Sequence, residues 1–102
     1  MALHRVASVT DVPRDSHKLV EVENTPICLV HAETGEWFAI NDICSHEDFS
    51  LCMGELWGLQ IECPQHGSRF DLRTGHPDVL PAVEPVPVYP VMVEGSNVYV
   101  DL

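Results

Sequence analysis

The chain has 102 residues, with 16 acidic against 5 basic side chains, a formal charge of −11 and an apolar content of 45%. A polyanion of this kind excludes nucleic acid and anionic membrane surfaces as natural partners. The apolar share excludes a disordered chain and points to one modest globular domain over residues 1–102.

The opening stretch, "MALHRVASVTDVPRD", has no apolar segment long enough for a signal peptide. No run approaches the roughly 18 apolar residues of a membrane span. The expectation is a soluble cytoplasmic protein whose thiols stay reduced. "KLVEVE" (18–23) alternates apolar and charged residues, as a half-buried strand does. "ICLVHA" (27–32) is a short apolar run of strand formers, and Gly35 turns it back into "EWFAI" (36–40), so the two read as a hairpin. Within 41–83, "GELWGLQIEC" reads as a small hairpin turning near Gly58. "VPVYPVMVEGSNVYVDL" (86–102) reads as a terminal hairpin turning at Glu94–Asn97. Pro87 and Pro90 lack amide donors, which puts its first arm at a sheet edge or bends it. No segment carries a helical stripe over three turns. The fold class is all-β, with a loop-rich insertion on a sheet scaffold.

That insertion carries two compact pairs of soft metal ligands, Cys44-Ser-His46 and Cys63-Pro-Gln-His66. Short spacing lets both side chains of a pair leave one loop and meet at one site. Three occupants fit two thiolates and two imidazoles: a tetrahedral Zn²⁺, a [2Fe–2S] cluster with His replacing Cys on one iron, or no metal at all. Two such pairs argue against the last. Structural zinc loops commonly put paired Cys on one loop and paired His on the other. Here each loop has one of each, an order that suits a cluster with two unlike irons. The sixteen residues between His46 and Cys63 leave room for a hairpin between the loops.

C-x-H, sixteen residues, then C-x-x-H resembles the motif of Rieske ferredoxins. "ECPQHGSRFDLRTG" is similar to the second cluster loop of the bacterial members, "LPAVEPVPVYPV" to their proline-containing third loop and "VEGSNVYVDL" to their terminal hairpin. The resemblance implies an antiparallel β-sandwich base with a small cluster-binding subdomain at about 41–83. It implies one [2Fe–2S] cluster, with Cys44 and Cys63 on the inner iron and His46 and His66 on the outer one. The electron of the reduced state would lie mainly on the His-ligated iron. Leu80, Pro81 and Ala82 would belong to the loop covering the cluster. High-potential Rieske proteins add a disulfide between the two loops, but Phe49 and Gln65 stand at those positions, so that disulfide is expected to be absent. Of the two hydroxyls that bond to sulfur in those proteins, Ser68 keeps one and Phe70 replaces the other. Fewer hydrogen bonds to sulfur lower the potential.

Asp42, Glu47, Asp48, Glu55 and Glu62, with no Lys or Arg in 42–62, read as an acidic docking face for a basic partner. Gly67 reads as a point of close backbone approach to the cluster. His4, His17, His31 and His76 have no ligand-spaced Cys and read as surface or strand residues. Cys28 and Cys52 read as small buried apolar side chains, with a reactive thiol at Cys52 the second choice. Trp37, Phe38 and Trp57 read as core. Arg69 and Arg73 read equally as solvated or docking residues. There is no nucleophile–base pair, hence no catalytic residue. The resemblance implies a monomeric electron carrier rather than an enzyme, taking electrons from a flavin-dependent reductase and passing them to a non-haem iron oxygenase. The alternatives are a Rieske ferredoxin of iron–sulfur assembly or nitrite reduction, or a zinc-stabilised interaction module.

Overall fold

The structure is a computed structural model that describes residues 2–43, 50–64, 67–77 and 84–102. Its strands are β1 (Leu3–Ser8), β2 (Ser16–Val22), β3 (Thr25–His31), β4 (Trp37–Asn41), β5 (Leu56–Trp57), β6 (Gln60–Glu62), β7 (Arg69–Asp71), β8 (Val88–Tyr89), β9 (Val91–Glu94) and β10 (Asn97–Asp101). They form three antiparallel sheets, ordered β1-β10-β9, β2-β3-β4-β8 and β5-β6-β7. Among the described residues the only helical pieces are 3-10 turns at Val9–Asp11 and Leu51–Met53, and no helix is long and apolar enough to cross a membrane.

The four-stranded sheet is the middle layer, because its side chains alternate between two cores. On β3, Cys28 and Val30 enter one core while Ile27 and Leu29 enter the other. On β4 the split is Phe38 and Ile40 against Trp37 and Ala39. Burial on both faces explains why "ICLV" is an unbroken apolar run rather than an alternating one. One core is shared with Leu51, Ile61, Cys63, Phe70, Leu72 and Val86. The other is shared with Ala7, Val12, Val98 and Val100 of the first and last segments.

The expected strands are present, with two additions, β1 and β7, the latter pairing with β6. β1 is a strand that the sequence did not announce, paired with β10 at the far end of the chain. β2 and β3 also form a hairpin, turning through Glu23 and Asn24 with both φ positive, the geometry of a tight I′ turn. The arm with two prolines both bends and lies at an edge. Pro90 separates β8, the edge strand beside β4, from β9, the edge strand beside β10. A proline at that joint forfeits no sheet hydrogen bond.

Candidate metal centre

Of the four ligands expected from the sequence, only Cys63 lies among the described residues; Cys44, His46 and His66 lie outside them, as do Phe49, Gln65, Leu80, Pro81 and Ala82. The described residues fix the necks of the loops that carry them. An antiparallel bridge between Ile43 and Ser50 closes the first neck, and the Leu51 amide donates to the Asp42 carbonyl across it at 2.6 Å. The second is the β6–β7 turn. There the Cys63 amide donates to the Ser68 carbonyl at 2.7 Å, and the Gly67 amide donates to the Cys63 carbonyl at 3.1 Å. Beyond Pro77, which bridges to Phe70, the Val86 amide donates to the Gly75 carbonyl and closes the third neck.

Two glycines hold these necks together, and the sequence reading singled out neither. A Cβ on Gly54 would sit 1.7 Å from the Glu62 carbonyl oxygen. The turn after the first loop therefore lies directly on the strand that leads to Cys63. A Cβ on Gly75 would sit 2.0 Å from the Val86 carbonyl oxygen, at a φ of +78°. At Gly67 the φ of +77° calls for glycine, and nothing among the described atoms lies within 4 Å of a Cβ there.

Cys63 is 1% exposed, and its side chain belongs to the core formed by Leu51, Ile61 and Phe70. A soft sulfur donor shielded from water at the mouth of a tight turn suits an iron–sulfur group, whose potential depends on burial and on hydrogen bonds to sulfur. Ser68 is buried beside it, and Phe70 is fully buried in the core with no hydroxyl to offer.

Several side chains depart from their expected roles. Asp42 is not a docking residue: it is 2% exposed, and its Oδ1 accepts the Cys52 amide at 2.8 Å. Glu62 pairs with Arg69 at 3.3 Å. Glu55 is exposed, while Glu47 and Asp48 lie outside the described residues. Trp57 is not core: it is 47% exposed, with the Arg69 guanidinium 4.6 Å from its ring centroid, a cation–π contact. His31 stacks on Trp37 at 4.1 Å.

A second group of ligand-type side chains forms away from the loops. His17 of β2, Cys28 of β3 and Cys52 of the 3-10 turn bring their ligand atoms within 4.8 Å of one another. Cys28 is fully buried, with its Sγ 2.6 Å from Cys52 Sγ, and Cys52 Sγ is 3.4 Å from His17 Nδ1. The hydrogen bond from Cys28, then that from His17, holds the Cys52 thiol down to about 6 against the cost of burial. His17 is raised, chiefly by its hydrogen bond to Cys52. Cys28 is pushed up, by the hydrogen bond to Cys52 and then by burial.

Comparison with known proteins bears on the fold and on the segments around Cys63. Residues 2–90 match the family model described as "Rieske [2Fe-2S] domain". The chain is 40% identical over 95 residues to the 3-phenylpropionate/cinnamic acid dioxygenase ferredoxin subunit of Shigella boydii serotype 4 (strain Sb227), covering 92% of this chain and 88% of that one. It superposes on the ferredoxin of carbazole 1,9a-dioxygenase from Nocardioides aromaticivorans IC177 with a TM-score of 0.92 at 35% identity, over 98% of this chain and 97% of the other. A chain from a complex of reduced oxygenase and oxidised ferredoxin in carbazole 1,9a-dioxygenase matches with a TM-score of 0.88 at 32% identity, over 96% and 91% of the two chains. Agreement this even, in sequence and in fold, runs through the segments that hold the three loop necks, and the chain belongs to the Rieske [2Fe–2S] domain family.

Proposed function

We propose that this chain is the ferredoxin component of a Rieske non-haem iron oxygenase system, and not itself a catalyst. The observation that carries the reading is the likeness to ferredoxins of dioxygenases, which covers 92% of this chain and 88% of the curated relative, and 98% and 97% of the two superposed chains. On this reading 1–102 is one domain, with the cluster-binding part at about 41–83. Cys44 and Cys63 would hold one iron of the cluster, and His46 and His66 the other. The group supplies one-electron storage when bound. The chain's own residues do the rest. The buried Cys63 side chain and its apolar surroundings keep water from the inner side. The Gly54–Glu62 contact brings the roots of the first and second loops together.

The partners on this reading are a flavin-dependent reductase as donor and a terminal oxygenase as acceptor, each met briefly by a monomer. The complex between an oxygenase and its ferredoxin, to which this fold is similar, supports the second pairing. Exposed Glu55, Met53 and Trp57 on the cluster-side layer offer a face that is part acidic and part apolar. Charge steering weakens as salt shortens the Debye length from about 30 Å at 0.01 M to about 8 Å at 0.15 M. The second-order rate of reduction by the reductase, followed by stopped flow, is therefore expected to fall on the order of tenfold between those salt levels. A rate that does not change removes the steering role of the −11 charge.

Absorption and low-temperature electron spin resonance test the cofactor directly. The expected result is a coloured protein with two irons per chain and mixed His and Cys ligation in the reduced state. A colourless chain with one zinc ends the reading in favour of an interaction module. Phe70 offers no hydroxyl to sulfur, and Ser68 supplies at most one. The midpoint potential is expected below about +150 mV, in the lower part of a Rieske range of about −150 to +300 mV. Protein-film voltammetry that places it higher rejects an assignment to the low-potential ferredoxins.

A further inference from the structure

The side chains of His17, Cys28 and Cys52 lie outside the ligand loops and have no part in the carrier reading. Cys28 and Cys52 are 24 residues apart, on the middle sheet and on the 3-10 turn that follows the first loop. Their sulfurs sit 2.6 Å apart. That is well inside the ~3.5–4.0 Å of non-bonded carbon contacts, and sulfur is the larger atom. Two sulfurs on a tetrahedral zinc ion, each about 2.3 Å from the metal, would stand roughly 3.8 Å apart. A covalent S–S bond is about 2.05 Å. Both thiols are free, and they face each other across a contact too short to hold a zinc ion between them. The Asp42 carboxylate holds the Cys52 amide, so the turn that presents this thiol is fixed. A surface cleft of about 410 Å³, lined by Asp15, Ser16, His17, Gly54, Glu55 and Leu56, opens beside His17.

We propose that Cys28 and Cys52 form an oxidation site for hydroperoxides, closing to a cystine with His17 as the positioning residue. The roles follow from burial. Cys52 is half-buried and touches both His17 and Cys28, so it is the attacking sulfur; fully buried Cys28 is the resolving one. The Cys52 thiolate attacks one peroxide oxygen. The S–O bond forms, the O–O bond breaks, and the His17 imidazolium gives its proton to the departing hydroxide, which leaves as water. The Cys28 sulfur then displaces hydroxide from the sulfenic acid on Cys52, and the Cys28 proton completes a second water. In sum, two thiols and one hydroperoxide give one cystine and two waters, or one water and one alcohol for an organic peroxide. The sulfurs lose two electrons and the peroxide gains them. The low pKa of Cys52 favours the attacking form at neutral pH. Once closed, the bond ties both ends of the segment bearing Cys44 and His46 to the middle sheet, whatever the state of the cluster.

The experiment uses the intact, cluster-loaded protein, purified without oxygen. It is treated with one to a few equivalents of hydrogen peroxide, then unfolded, alkylated with iodoacetamide and cleaved at glutamate. Cleavage there places Cys28 (24–33), Cys44 (37–47) and Cys52 (48–55) on separate peptides. The expected product joins peptides 24–33 and 48–55, two hydrogens lighter than their sum. It is reversed by dithiothreitol and forms with the visible spectrum retained. Cys28→Ser is expected to stop at a sulfenic acid on Cys52 that dimedone traps, and His17→Asn to slow closure on the order of tenfold. Should Cys28→Ser fail to fold, Cys52→Ser must abolish the joined species, and mapping of the wild-type protein decides alone. Full alkylation of both peptides after peroxide overturns the proposal. So does a sulfinic acid on Cys52 beside an untouched Cys28. A metal ion bound in addition to two irons, and lost in Cys52→Ser, makes the trio a metal site and overturns it too.

Discussion

Gly54→Ala is expected to cost the protein its cluster. The backbone at Gly54 has φ −89° and ψ −170°, which alanine adopts freely, so the obstacle is space alone. The added Cβ would lie 1.7 Å from the Glu62 carbonyl oxygen and 3.3 Å from that of Leu51. Both neighbours are main chain, so nothing can swing aside. Either the 3-10 turn or β6 must shift, and with it the relation of the first loop to Cys63. Overpacking of a fixed interior costs about 1–3 kcal/mol, occasionally more, and here the displacement falls between two proposed ligand loops. The expected result is a fall in melting temperature of roughly 4–8 °C per kcal/mol for a domain of this size, with iron and visible absorbance reduced in step. Gly95→Ala is the control: φ is +62° there, and nothing lies within 4 Å of a Cβ. It should cost only backbone strain, about 1–2 kcal/mol, and leave the cluster in place. A Gly54→Ala protein with full iron content and an unchanged melting temperature would show that the contact does not position the loops.

Cys63→Ser is expected to abolish cluster binding while leaving the base of the fold intact. Serine nearly matches cysteine in volume, so the core around Leu51, Ile61 and Phe70 keeps its shape. What is lost is a soft donor. Changes merely outside the ligand shell cost about 10–100-fold in affinity, and loss of a ligand is expected to cost at least that. Iron per chain and visible absorbance should fall close to zero. The chain should also unfold more readily, because a group that binds only the native state stabilises it. Cys52→Ser serves as the comparison, a cysteine of the same neighbourhood outside the loops, and should keep its iron. If Cys63→Ser retains two irons per chain, the ligand assignment fails, whatever the family.

The middle sheet and the terminal hairpin were legible because alternation, turn glycines and prolines are local signals. "LHRVAS" was not: only Ala7 of it is fully buried, and the strand that pairs with it lies at the other end of the chain. The β2–β3 turn escaped notice because Glu23 and Asn24 take the place of the glycine that usually marks a positive φ. Trp57 was misread because an aromatic ring suggests core until a cation covers it from outside. The family was readable from the two short Cys–His pairs because metal chemistry forces short spacing within each loop. The meeting of His17, Cys28 and Cys52 was not, since three strand and turn positions far apart in sequence carry no spacing rule. Gly54 gave no local sign at all. Its dihedrals are ordinary, and only the backbone opposite explains the residue.

The shared middle sheet has a consequence for assembly. On the far side of β3, the described residues of the second interior, among them Ile27, Leu29, Val98 and Val100, come from the middle sheet and from the first and last segments of the chain. That half has its own reason to fold, and it supplies the wall on which the other half is laid down. Such partly independent units open and close with different free energies. Loss of the metal is then expected to loosen first the core of Leu51, Ile61, Cys63 and Phe70, with the opposite core following at a higher free energy.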